Sequence, residues 1–65
     1  MPRKVRELIA DLERAGFVLE RTRGSHRQFV HPHRDEPIAV SGNLGRDAKR
    51  YQEREVAEAI REATP

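Results

Sequence analysis

The sequence has no cysteine, no tryptophan, a single tyrosine and two phenylalanines. Without cysteine, neither a disulfide framework nor a thiolate zinc site can brace a small core. Such a chain suits a reducing compartment, and the cytoplasm is the expected location. Apolar runs reach only three residues, as at Phe17-Val18-Leu19. Neither a transmembrane helix nor a signal peptide is expected, and no membrane partner. Length is also scarce. Sixty-five residues make one domain, taken as 1–65, too short for a doubly wound nucleotide-binding sheet, a barrel enzyme or a two-domain cleft. A chain of this size buries only about 60% of the surface its unfolded form exposes. A deep cavity is not expected, and no small-molecule cofactor is assigned.

Charge is plentiful. Charged residues make up 37% and hydrophobic residues 35%. The 13 basic and 11 acidic side chains nearly cancel to a net +2, so the chain is not a disordered polyelectrolyte. The balance is uneven along the sequence. Residues 1–34 hold eight basic and four acidic side chains, and residues 35–65 hold five basic and seven acidic. From Arg21 to Arg34 there are four arginines and no acid, and all three histidines, His26, His31 and His33, fall in that window. A local positive field beside imidazoles fits a phosphate-rich ligand. A solvated basic hairpin is the competing account.

Hydrophobic periodicity predicts a helix over residues 3–15, with Val5, Leu8, Ile9 and Leu12 in one stripe. Pro2 stands at its start and Gly16 just beyond its end, with Phe17 placed to fold back on Leu12. Residues 17–22 and 25–31 read as two strands joined at Arg23-Gly24. Residues 31–37 read as a polar, proline-bounded loop, and residues 38–41 as a third strand with Ile38 and Val40 on one face. A loop containing Gly42 and Gly45 follows. A second helix is expected over about 52–63, with Val56, Ile60 and Ala63 as its stripe; an earlier start with Asp47 as cap is left open. The fold class is therefore α+β in the order α-β-β-β-α. A three-stranded antiparallel sheet carries both helices on one face and leaves the other open.

His26 is the leading chemical candidate. Strand alternation pairs it with Gln28 on one face, opposite Arg27 and Phe29. If Phe29 is core, His26 points to the open face. An imidazole among guanidiniums can take the proton of an RNA 2′-hydroxyl while the arginines hold the phosphate. An ordinary surface histidine is the alternative. With His31 and His33 it forms H-x4-H-x-H, whose spacing matches no established zinc motif, and no metal is assigned. Lys49-Arg50-Tyr51 has a basic pair able to meet a phosphate, or simply to solvate the approach to a helix. Glu55, Glu58 and Glu62 read as a solvated helix face. Glu7, Asp11 and Glu20 read as partners of Arg and Lys. No third residue completes a nucleophilic set around Ser25, and no Lys-Ser/Thr follows Gly42 and Gly45 to make a P-loop.

The segment Gly24-Ser25-His26-Arg27-Gln28-Phe29-Val30-His31-Pro32, together with Gly16-Phe17 and Arg21 upstream, resembles the HicA family of toxins over residues 3–41. The resemblance implies a double-stranded-RNA-binding-like fold and cleavage of messenger RNA. It also implies a HicB-like antitoxin as partner and His26 as the catalytic histidine. Arg21, Arg23, Gly24, Ser25 and Arg27 are the expected RNA-binding residues. The C-terminal third departs from the family pattern. A further histidine after the third strand and a Gly-Thr-Leu lead-in to the last helix give way to Val40-Ser41-Gly42-Asn43-Leu44-Gly45 and 47–52. The expectation is a metal-independent toxin-type endoribonuclease. A non-catalytic RNA-binding module is the second reading, and a domain whose basic face docks an acidic protein is the third.

Overall fold

A computed structural model describes residues 2–64. Its elements are helix α1 (Val5–Arg14), strands β1 (Val18–Arg23), β2 (His26–His31) and β3 (Arg34–Ser41), and helix α2 (Arg50–Ala63). The sheet is antiparallel in the order β1-β2-β3. Alternation turns Phe29, Ile38 and Val40 to one side, where they join Val5, Leu8 and Leu12 of α1 and Val56, Ala59 and Ala63 of α2 in one core. Both helices therefore cover the same face, and the other face is open, as the expected α+β arrangement has it.

Helix α1 stops where its sequence says it should. Gly16 has φ 97°, Phe17 N–H donates to the Leu12 carbonyl at 3.0 Å, and Gly16 N–H donates to that of Glu13 at 3.0 Å. This is the paired-bond termination that a left-handed residue permits. At the other end, the loop between β3 and α2 satisfies the free amides of the first turn. Val5 N–H donates to the Arg46 carbonyl at 2.9 Å and Arg6 N–H to that of Leu44 at 3.1 Å. The segment read as a plain loop is thus fastened to α1.

Two boundaries and one core position differ from the sequence reading. Strand β3 begins at Arg34, so Asp35, Glu36 and Pro37 belong to it rather than to a loop. Because β3 is an outer strand, proline's missing N–H leaves no ladder bond unmade. The register slips there, with Val30 of β2 set against Asp35, Glu36 and Pro37 of β3 between the pairs Phe29–Ile38 and His31–Arg34. Helix α2 begins at Arg50, and Asp47 is not its cap. Gln52 folds back to accept the Lys49 N–H at 3.1 Å, while Asp47 pairs with Lys4 at 2.6 Å. Ala59 rather than Ile60 sits deepest on α2, at 0% exposure.

Candidate functional site

Gly24-Ser25 is a two-residue turn, with Arg23 opposite His26. Gly24 has φ 61° and Ser25 a negative φ, the sign pattern of a type II′ hairpin turn. A Cβ on Gly24 would meet nothing within 4 Å, so glycine is required by the backbone and not by crowding. The turn makes His26 the first residue of β2. Phe29 is buried at 1% exposure, so His26, Gln28 and Val30 occupy the open face. The His26 side chain is exposed, and its ring has no hydrogen-bond partner among the described residues.

On the β1 side, a shallow groove is lined by Arg21, Arg23, His26, Arg27, Gln28 and Ala39. Arg21 and Arg23 are exposed on the open face. The groove also has an acidic neighbour that the acid-free window did not include. A bulge between Leu19 and Arg21 breaks the alternation of β1. Glu20 thereby lands on the open face, where its Oε1 accepts from Gln28 Nε2 at 3.1 Å. Its observed partner is an amide, not the Arg or Lys expected. Arg27 stands differently from the other two arginines. It leaves the core-facing side, and its Nη1 donates to the Ser25 carbonyl at 3.1 Å and the Gly42 carbonyl at 2.9 Å. The same side chain ties the hairpin turn to the end of β3.

On the other side of His26 is a second cleft, bounded by Ser25, Ser41, Arg46, Lys49 and Tyr51. Ser41 is the β3 residue opposite His26. Gln52, 5% exposed, closes the back of this cleft. Its Nε2 donates to the Ser41 carbonyl at 2.8 Å and its Oε1 accepts from Lys49, which locks β3 to the start of α2. The sequence singled out Lys49-Arg50-Tyr51 but did not connect them with His26. The signal available was the strand order, which brings the end of β3, and so the start of α2, beside the β1–β2 turn.

His31 does not join His26. Its Nε2 lies 3.0 Å from the Ala15 carbonyl and its Nδ1 accepts the His33 N–H at 3.0 Å. A ring with N–H at Nε2 and an acceptor at Nδ1 satisfies both contacts. The ring packs against Phe17 at 4.9 Å between centroids. It is a structural pin between α1 and β2. Among the described residues, no three His, Asp or Glu side chains gather to hold a metal ion.

The distribution of paired charges sharpens the picture. Arg3, Lys4, Arg14, Arg34 and Arg61 all have carboxylate partners. Arg3 is pushed above the ordinary arginine value, first by its hydrogen bond to Asp11 and then by that carboxylate's charge; it lies between the helices, away from the open face. The cations bordering His26, Arg21, Arg23, Arg46 and Lys49, have no such partner among the described residues. Arg6, Arg50 and Arg54 also lack one but lie on the helices, and Asp47, which lines the same cleft as Arg46 and Lys49, is paired with Lys4. Four cations without a carboxylate partner thus border one exposed imidazole, an arrangement suited to a polyanion.

A sequence model of the family described as the HicA toxin of bacterial toxin-antitoxin pairs matches residues 5–63. No match is found among curated proteins or among solved structures.

Proposed function

The chain belongs to the HicA toxin family, and from that premise we propose that it is a metal-independent endoribonuclease that cleaves messenger RNA in the cytoplasm. The observation that carries the reading is the placement of His26. It is exposed at the head of β2, between two grooves whose cations lack acidic partners among the described residues. In this mechanism the His26 imidazole takes the proton from a ribose 2′-hydroxyl. The 2′-oxygen attacks the adjacent phosphorus, and the 5′-oxygen leaves and is protonated. Arg21 and Arg23 hold the phosphate and offset the charge that grows on it. Gly24 lets the backbone approach closely, and Ser25 offers a hydroxyl. Arg27 adds charge but chiefly holds the turn, since its Nη1 is already committed to two carbonyls. No metal has a role. His31, the one histidine between His26 and His33, has both ring nitrogens engaged.

One observation favours the second reading, a non-catalytic RNA-binding module. Nothing among the described residues orients the His26 ring by a hydrogen bond, whereas general bases are commonly so held. The test is cleavage of a single-stranded RNA in excess chelator by the parent and by His26→Ala. Cleavage by the parent alone supports the endoribonuclease. Salt-dependent binding without cleavage by either selects the binding module.

A further inference from the structure

The single tyrosine has no structural duty that accounts for it. The packed face of α2 consists of Gln52, Val56, Ala59 and Ala63. Tyr51 stands beside that face in the first turn and remains 51% exposed. It borders the cleft that contains His26 and also a furrow between β3 and α2, lined by Pro37, Ala39 and Arg54 among others. Ala39 in turn borders both that furrow and the arginine groove of His26. The three depressions therefore converge on His26, Ala39 and Tyr51. Ala39 contributes only a methyl group on the open face, which leaves the passage between the histidine and the tyrosine unfilled. Cations flank the passage at both ends, Arg21 and Arg23 on one side and Lys49 and Arg54 on the other; Glu55 and Glu58 also line the furrow, Glu58 being paired with Arg61.

An exposed aromatic ring set into a track of positive charge is how proteins hold single-stranded nucleic acid. The cations follow the phosphates, and a base stacks on the ring. We propose that Tyr51 is a base-stacking residue. A nucleotide next to the cleaved phosphate crosses the gap over Ala39 and lays its base on the Tyr51 ring, and Lys49 contacts the neighbouring phosphate. The proposal rests on the RNA-cleaving reading and narrows its substrate to unpaired RNA, because a base inside a duplex is already stacked on its neighbours.

The sequence supplies the probe. With one tyrosine and no tryptophan, the intrinsic emission of the protein reports on Tyr51 alone. The His26→Ala protein is titrated with a short single-stranded oligouridylate and, separately, with a duplex RNA. Saturable quenching by the single strand is expected, with much less by the duplex. Tyr51→Leu in the same background should weaken binding of labelled oligouridylate about tenfold, and Tyr51→Phe should bind nearly as the parent. In the active protein, Tyr51→Leu should raise KM more than it lowers kcat. If oligouridylate binds without quenching and Tyr51→Leu and Tyr51→Phe both match the parent, stacking is wrong while RNA recognition stands. Equal quenching by the duplex overturns it as well. If the His26→Ala protein binds no RNA and the parent cleaves none, the endoribonuclease reading falls, and the stacking role with it.

Discussion

Arg23 and Arg27 lie four residues apart in the sequence and on opposite sides of the sheet. That difference sets opposite expectations for two substitutions of the same chemical type. Arg23→Ala removes an exposed cation from the groove beside His26. It should weaken RNA binding and flatten its salt dependence, with stability nearly unchanged. Arg27→Ala removes charge-assisted bonds to two carbonyls that join the turn to the end of β3. Such bonds are each worth about 1.5–3 kcal/mol, and in a domain this small a loss of 1 kcal/mol lowers Tm by roughly 4–8 °C. Arg27→Lys keeps the charge, but its ammonium ends one bond short of the Nη1 position that serves both carbonyls, so it should resemble Arg27→Ala in Tm. Thermal denaturation and RNA titration of the three variants check this; an Arg27→Lys protein as stable as the parent would count against the tie. His26→Ala is the complementary case. The ring is exposed and lacks hydrogen-bond partners among the described residues, so Tm should hold while cleavage and growth inhibition on expression are lost. Sequence alternation placed His26 and Arg27 on their separate faces, and burial of Phe29 bears that placement out. The length of the Arg27 side chain, which reaches across to Gly42, is not a property of spacing. No pattern in the strand discloses it.

Two glycines illustrate how one residue type serves different elements. At Gly16 the backbone is left-handed, with φ 97°, and an added Cβ would come within 3.1 Å of His31 Nε2. Gly16→Ala is therefore strained twice, once in the backbone and once against the ring that pins α1 to β2. At Gly24 φ is 61° with open space around it, so Gly24→Ala is strained in the backbone alone. Backbone strain of this kind costs about 1–3 kcal/mol. Gly16→Ala should therefore lower Tm more than Gly24→Ala. Gly24→Ala should do the greater harm to RNA cleavage per degree of Tm lost, because that turn aims His26. Paired melting curves and cleavage rates test the order, and the reverse order in Tm would show that His31 yields to the added methyl. The end of α1 was legible because a glycine after an apolar stripe has a local meaning. The beginning of β3 was not. Pro37 and the charged pair Asp35-Glu36 speak locally for a loop, and only the outer position of the strand makes them tolerable. The bulge at Glu20 was equally invisible, since it arises from the pairing of two strands. It carried a carboxylate onto a face whose window of sequence had none.

At the scale of the whole molecule, the open face of the sheet carries Arg21 and Arg23, and Arg46 and Lys49 border His26, all without a carboxylate partner among the described residues. The carboxylates of Asp11, Glu58 and Glu62 are already engaged by arginines. A surface that presents acidic groups to Arg21, Arg23 and Lys49 would gain favourable contacts and would cover His26 in doing so. We propose that a HicB-like antitoxin binds there and that it and RNA exclude one another. Two consequences follow from one field. High salt should weaken both complexes, since each draws on exposed cations within reach of screening. The partner should also raise the apparent Tm of the chain, because it binds the folded form of a small domain with a single thin core. The experiment is a titration of the partner into a complex of the His26→Ala protein with labelled RNA, repeated with Arg23→Ala added. Full displacement of RNA is expected, at a partner concentration that rises with the RNA present. Loss of Arg23 should weaken both ligands together. A ternary complex at saturation, or an Arg23→Ala protein that loses RNA but keeps its partner undiminished, would mean that inhibition acts from a surface away from the β1–β2 turn.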